Sequence, residues 1–205
     1  MSPGSAPPLV LASGSPRRRE LLAGLGLAFD IDPPRSPEGN WGGEPPEAFA
    51  RRLAEAKAAE VAARRRGHLV IGADTIVVRD GVVLGKPADP AHARVMLEFL
   101  AGRVHTVHTA VTVIGDARGA TGVERTEVRF RELTSAEIDD YVATGEPLDK
   151  AGAYGVQGLG ATLVEEVRGC YFNVMGLPVV LLLRLLPKAG WEYRMPGLLQ
   201  PTGGS

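Results

Sequence analysis

The dipeptide Asp80-Gly81 separates two runs of apolar, mostly β-branched residues, Leu69 to Val78 and Val82 to Leu84. Asp-Gly in this position is typical of a two-residue hairpin turn, so the two runs are predicted to pair as antiparallel strands. Elsewhere the chain alternates strand patterns with helical ones, which is typical of a sheet covered by helices. Together these patterns predict an α/β fold with a mixed sheet.

Capping residues and helical spacing predict the other elements. Ser15-Pro16 and Asp89-Pro90 each begin a helix, and Thr134 with Glu137 forms a capping-box pattern. The predicted strands cover residues 9–12, 69–78, 82–84, 104–114, 123–130 and 162–167. The predicted helices cover 16 to 24 or 26, 46–66, 90–101, 135–141 and 178–186. We expect one domain over residues 9–190, with residues 1–8 and 191–205 as disordered tails because they are rich in Pro and Gly.

Composition argues against several classes of protein. The formal net charge is −1, so no overall positive field holds a nucleic acid. The longest apolar run, Leu177 to Leu186, falls short of the roughly 20 residues that span a membrane. The one cysteine, Cys170, cannot form an internal disulfide, and the N-terminus lacks a signal-peptide pattern. We therefore expect a cytoplasmic protein that binds neither nucleic acid nor membrane.

The turn between the first strand and the first helix carries Ser13, Ser15, Arg17 and Arg18. Free backbone N–H groups and the positive end of the helix dipole favour an anion at such a turn. Arginine adds paired donors that match phosphate oxygens. The alternative interpretation is that these arginines form an ordinary solvated face.

Asp74 and Thr75 interrupt an otherwise apolar strand pattern. A buried carboxylate is costly unless a cation or metal accompanies it. If the Asp80-Gly81 turn has two residues, the pairing continues from Arg79 with Val82 to Thr75 with Lys86, which brings Lys86 beside Asp74. Asp74 and Thr75 can both face one cleft only if the pairing ends or bulges here, as Gly85 and Pro87 allow. A functional site and a purely structural Asp–Lys pair both agree with this pattern.

Three other sets of residues indicate less about function when only their residue types are considered. The segment from Asp149 to Gly160 is rich in glycine but lacks the established nucleotide-binding spacings, so it indicates only a loop. Glu38 lies in the loop before the second helix and could be an ordinary surface charge. His105 and His108 are three residues apart on a predicted strand, which disfavours a shared metal and favours structural roles.

Four separate segments make the sequence resemble the Maf family, part of the inosine triphosphate pyrophosphatase-like superfamily. The resemblance covers about Leu9 to Leu186. The segments that carry it are Leu11 to Arg18, Leu53-Ala54 with Lys57-Ala58, Gly72 to Thr75 with Gly85 to Pro87, and Glu146 to Gly155 running into Gln157-Gly158.

The resemblance implies a two-lobed fold around a twisted mixed sheet, with a nucleotide in the cleft between the lobes and a divalent cation, Mg²⁺ or Mn²⁺. In this family pattern Asp74 is the general base or the metal-held activator of the attacking water. Glu38 is then a second carboxylate of the metal site, although its Pro- and Gly-rich loop departs from the pattern. Lys57 and Lys86, with Arg17, become ligands of the triphosphate.

The resemblance also implies a substrate class. Arg17, Thr75 and Gln157 match the positions that determine base choice in the pyrimidine-preferring branch, which resembles dTTP and UTP pyrophosphatases. The alternative for Gln157 is that it only braces its loop. A homodimer is what the family suggests. A different function, a nucleotide-binding regulator of septum formation that does not hydrolyse, is the competing hypothesis.

Overall fold

The computed structural model describes residues 8–37, 39–116 and 118–202. Its strands are β1 (Leu9–Ala12), β2 (Asp30–Ile31), β3 (Leu69–Arg79), β4 (Val82–Leu84), β5 (Val104–Ile114), β6 (Gly119–Phe130), β7 (Val164–Arg168), β8 (Trp191–Arg194) and β9 (Leu198–Pro201). Its helices are α1 (Pro16–Gly24), α2 (Pro46–Arg64), α3 (Pro90–Leu100), α4 (Ser135–Ala143), α5 (Tyr171–Met175) and α6 (Val179–Leu185). Short 3-10 segments cover Glu146–Asp149, Ala151–Ala153, Gly158–Leu163 and Pro187–Ala189.

Seven strands form a mixed sheet in the order β2-β1-β3-β5-β6-β7, with β4 paired to β3. Strand β1 is parallel to both β2 and β3, whereas β4 is antiparallel to β3 and β7 is antiparallel to β6. The α/β class and the mixed sheet are therefore confirmed.

The predicted hairpin is present, but its pairing is shorter than expected. Arg79 pairs with Val82 and the ladder ends at the pair of Val77 with Leu84. Positive φ angles of 48° at Asp80 and 76° at Gly81 fit the tight turn. The predicted continuation to Thr75 with Lys86 is wrong, because the Gly85 carbonyl accepts a hydrogen bond from Gly152 N–H (3.0 Å).

The chain divides into two compact units. The first comprises residues Met1–Asp74, Ala110–Val123 and Gly176–Ser205, and the second comprises Thr75–Thr109 and Glu124–Met175. Strands β3, β5 and β6 each contribute residues to both units.

Helices cover both faces of β1 and β3 in the first unit. Alternate residues of these strands point in opposite directions, as the two-residue period of a strand requires. One face packs against α1 and α6, and the other packs against α2. The first face contributes Leu9, Leu11, Leu69 and Ile71 to a core with Leu22 and Leu182, and the second contributes Val10, Ala12 and Val70 to a core with Ala58 and Val61.

The second unit has its own core between its part of the sheet and helices α3 and α4. Three aromatic rings meet edge to face in this core: those of His105, Phe130 and Tyr154. The apolar residues that α3 contributes lie at the predicted helical spacing, at Ala93, Met96, Leu97 and Leu100.

The predicted disordered C-terminal tail is wrong for residues 191–201. Strands β8 and β9 pair there as an antiparallel hairpin. Trp191, Tyr193 and Leu199 pack against the first unit's core, and the Tyr193 hydroxyl donates to the Leu25 carbonyl at 2.7 Å. The aromatic side chains therefore bury enough apolar surface to order the segment, which its Pro and Gly content did not indicate. Of the predicted N-terminal tail, residues 1–7 lie outside the described residues, and Pro8 O accepts a hydrogen bond from Leu69 N–H.

Candidate functional site

The turn before α1 is organised by Ser13 and Arg18. Ser13 is 6% exposed, and its hydroxyl oxygen accepts hydrogen bonds from Ser15 N–H (3.2 Å) and Arg18 Nη1 (3.1 Å). Arg18 Nε donates to the Gly176 carbonyl at 2.8 Å. Ser15 occupies the predicted N-cap position, although its side chain makes no capping bond. The structure therefore gives Arg18 a bracing role, and the half-buried Arg17 lies beside it on the first turn of α1.

Asp74 forms a buried ion pair with Lys57. Asp74 Oδ1 lies 2.5 Å from Lys57 Nζ, and the two side chains are 7% and 12% exposed. The sequence pattern correctly predicts a lysine beside this carboxylate, but the lysine that it predicts is Lys86, through the continued pairing of the hairpin. The ion pair instead joins strand β3 to helix α2, and the side chain of Lys86 is exposed.

Gly72 explains how the lysine comes so close to the strand. A β-carbon at Gly72 would lie 2.8 Å from Ala58 Cβ and 2.9 Å from the Ala54 carbonyl oxygen. Helix α2 can therefore pack directly against the backbone of β3 only because this position is glycine. Lys57 precedes Ala58 on the helix, and Asp74 follows Gly72 by two residues on the strand. The close approach thus carries the ammonium group to the carboxylate.

The ion pair places two opposite charges in an otherwise apolar part of β3. Two charges removed from water are costly, and their mutual attraction at a short distance offsets that cost. The carboxylate oxygens are hard donors of the kind that Mg²⁺ and Mn²⁺ prefer. Among the described residues no three His, Cys, Asp or Glu side chains lie together in a metal-binding group. The predicted second carboxylate, Glu38, lies outside the described residues.

Thr75 belongs to a chain of polar groups in the second unit. Its hydroxyl lies 2.9 Å from the Thr109 hydroxyl, which donates to the Asn173 carbonyl at 2.9 Å. The Asn173 amide donates to the Val107 carbonyl (3.0 Å) and to Thr126 Oγ1 (2.9 Å), and its side chain is fully buried. Sequence reasoning missed Thr109 and Asn173. A polar residue at 173 between the apolar residues 171–172 and 174–175 is the signal that could have found Asn173.

Gln157 lies in the glycine-rich segment, immediately before the 3-10 segment Gly158–Leu163, and is half-buried. The segment is more regular than the predicted loop, because the 3-10 segment Ala151–Ala153 lies within it and the 3-10 segment Gly158–Leu163 begins in it. The Glu146 and Tyr141 side chains hold its backbone N–H groups.

The two histidines have partners of their own. His105 Nε2 lies 2.8 Å from the Tyr154 hydroxyl, and His108 Nε2 lies 3.0 Å from Thr106 Oγ1. Burial, with a smaller contribution from the positive charge of Arg79, lowers the pKa of His105 to about 4.

Within the described parts of the chain no helix is long and apolar enough to cross a membrane.

These features define the class of protein: an α/β protein with a mixed sheet, a buried carboxylate–ammonium pair and an arginine-bearing helix N-terminus suited to phosphate groups. A family model described as Maf-like protein matches residues 8–189. The chain belongs to the Maf-like protein family.

Three relatives illustrate the similarity. A dTTP/UTP pyrophosphatase of Moorella thermoacetica is 59% identical over 87% of this chain and 93% of that protein. Proteins of the same name from Anaeromyxobacter dehalogenans and Koribacter versatilis are 54% and 47% identical, over 91% and 89% of this chain and 98% and 94% of theirs. A solved HAM1 protein from Coxiella burnetii covers 71% of this chain and 85% of its own at 19% identity and a TM-score of 0.40, too weak a likeness to carry an argument.

Proposed function

We propose that this protein is a nucleoside triphosphate pyrophosphatase that hydrolyses dTTP and UTP to the monophosphate and pyrophosphate. The observation that carries the proposal is the buried pair of Asp74 with Lys57 on the strand that the family pattern assigns to catalysis. Relatives named for this activity, at 47–59% identity over most of the chain, support the same substrates. The single cysteine fits a reducing cytoplasm, which we propose as the location.

In this mechanism Asp74 accepts the proton of the water that attacks the α-phosphorus. A bond forms between the water oxygen and the α-phosphorus, and the bond from the α-phosphorus to the oxygen that bridges to the β-phosphorus breaks. Pyrophosphate leaves with that oxygen. Lys57 holds the carboxylate in place and contributes positive charge near the reacting phosphate, where fixed charge stabilises the transition state.

A divalent cation fits the donor set of this chain. Mg²⁺ commonly binds through one or two carboxylates and completes its shell with water and substrate phosphates, so Asp74 and Glu38 would suffice to hold it. Bound Mg²⁺ or Mn²⁺ would neutralise phosphate charge and lower the pKa of water. The remaining phosphate ligands in the proposal are Ser13, Arg17, Arg18 and Lys86.

Base choice in the proposal rests on Gln157, with Arg17 and Thr75. An amide offers an acceptor for the N3–H of thymine or uracil and a donor for a neighbouring carbonyl oxygen. The guanine edge presents two adjacent donors and does not match this pair.

The test is release of pyrophosphate from dTTP and UTP by the purified protein with Mg²⁺ or Mn²⁺. We expect turnover in the wild type, and Asp74→Asn should lower it by about 10²–10⁴-fold, the usual contribution of a positioned acid or base. Asp140→Asn, an exposed aspartate on α4, is the matched control and should retain turnover. Nucleotide binding without turnover in the wild type would contradict the proposal and favour a regulator that only senses nucleotides.

A further inference from the structure

The Glu146 carboxylate accepts hydrogen bonds from three groups in the second unit. Its Oε1 accepts from the Tyr141 hydroxyl (2.9 Å) and from Gly160 N–H (3.1 Å), and its Oε2 accepts from Leu159 N–H (3.1 Å). Glu146 begins the first 3-10 segment, whereas the two amides lie 13 and 14 residues later in the chain. The carboxylate therefore ties together two segments that are distant in sequence.

Tyr141 holds the other end of the same segment. Its side chain is 5% exposed, and its hydroxyl oxygen accepts from Gly155 N–H at 3.3 Å while the hydroxyl proton goes to Glu146. The three backbone amides at residues 155, 159 and 160 thus flank Gln157 on both sides. We call Glu146 and Tyr141 the loop brace.

The brace leaves no room for a side chain at Gly160 and little room for one at Gly158. A β-carbon at Gly160 would lie 2.3 Å from the Gly155 carbonyl oxygen and 2.6 Å from the Tyr141 hydroxyl. A β-carbon at Gly158, where φ is 64°, would lie 3.0 Å from Glu146 Oε2. At Gly160 the Gly155 carbonyl and the Tyr141 hydroxyl together exclude a side chain, and at Gly158 the positive φ and the nearby Glu146 carboxylate disfavour one, which accounts for part of the glycine content of the segment.

The brace needs a carboxylate in its ionised form. Burial raises the pKa of Glu146, but the hydrogen bonds from Gly160 N–H, the Tyr141 hydroxyl and Leu159 N–H, with the positive charge of Lys150, together lower it by more, so that pKa lies below its ordinary value. An ionised carboxylate only accepts hydrogen bonds, and here it meets only donors. An amide in the same place would turn an N–H group toward either Leu159 N–H or Gly160 N–H, whichever way it is oriented.

We propose that Glu146 and Tyr141 are positioning residues for base choice, because they set the conformation of the segment that presents Gln157 to the nucleotide base. The inference rests on the proposed function, in which Gln157 contacts the base. Glu146 and Tyr141 themselves contact neither substrate nor metal in this proposal.

The variants are Glu146→Gln and Tyr141→Phe, with Glu165→Gln and Tyr171→Phe as matched controls at exposed positions outside the brace. The first measurement is kcat/KM for dTTP, UTP and a guanine triphosphate. Each brace variant should lower the ratio of dTTP to guanine activity about tenfold, the effect of roughly one lost hydrogen bond, mainly through KM for dTTP. Both controls should keep the wild-type ratio.

The second measurement is amide hydrogen exchange of residues 155, 159 and 160, which does not depend on activity. These amides should exchange at least about tenfold faster in the brace variants and at the wild-type rate in the controls. Faster exchange with an unchanged substrate ratio would overturn the positioning role, since the brace would then be only structural. Unchanged exchange would overturn the brace itself.

The two proposals fail in different ways. If the wild type releases no pyrophosphate, the proposed function fails, and the ratio of dTTP to guanine triphosphate affinities, measured by calorimetry, replaces the kinetic ratio. Brace variants that lower this ratio still support the inference. A wild type that binds neither nucleotide overturns both proposals.

Discussion

Lys57→Met removes the ammonium group that lies 2.5 Å from Asp74 Oδ1 and keeps most of the aliphatic side chain. The attraction between unit charges at that distance is about 7 kcal/mol at an effective dielectric constant of about 20. Desolvation of both charges offsets much of it, and loss of one partner of a buried pair typically costs about 3–5 kcal/mol. Because the lysine side chain is still 12% exposed, we expect the low end of that range.

The expected result is a free energy of unfolding about 3 kcal/mol lower than in the wild type. In a domain of this size that change lowers Tm by about 10 °C. Urea unfolding followed by circular dichroism measures it, with Lys188→Met, an exposed lysine, as the control that should stay within about 0.5 kcal/mol.

The double variant Lys57→Met with Asp74→Asn separates the pair from other effects. If the two side chains interact directly, the double variant should be more stable than the sum of the single losses predicts, by about 1–3 kcal/mol. A urea midpoint for Lys57→Met equal to that of the wild type, or strict additivity in the cycle, would show that the ion pair does not stabilise the fold.

Three further outcomes follow from single residues. Gly72→Ala should destabilise the protein by about 1–3 kcal/mol and lower dTTP turnover as well, because the new methyl group pushes α2 away from β3. Equal turnover in wild type and variant would contradict this. Gln157→Glu should lose pyrimidine activity and gain relative guanine activity, since its carboxylate opposes a pyrimidine carbonyl. An equal fall in kcat/KM for dTTP, UTP and a guanine triphosphate would mean that Gln157 only shapes its loop. His105 has a folded pKa of about 4, below its unfolded value of about 6.5, so its stabilising contribution is complete above about pH 6.5 and is lost as pH falls toward 4. Wild type should therefore lose about 2–3 kcal/mol more than His105→Phe between pH 7 and 4.5 in urea unfolding, and parallel losses would refute the assignment.

Local chemistry in the sequence determined most of the secondary structure. The hairpin at Asp80-Gly81 and the helix starts at Asp89 and Thr134 depend on residues a few positions apart, so their patterns were sufficient. The two-residue strand β2, the hairpin β8–β9 and helix α5 were missed. The hairpin β8–β9 forms because its aromatic residues meet a core built from distant segments, and α5 is too short to show helical periodicity.

The chemical groups of the candidate site were also identifiable from sequence, but not their partners. A carboxylate at Asp74 within an apolar strand indicated the need for a cation, but the hairpin register pointed to Lys86, whereas the ion pair is with Lys57. That choice depends on the contact of α2 with Gly72, between segments that are 14 residues or more apart in the chain. The brace of Glu146 on Gly160 is of the same kind, since the two groups are 14 residues apart in the chain and no spacing pattern pairs them. Only tertiary packing decides such contacts, because they depend on distance in space between groups whose separation in sequence carries no periodic signal.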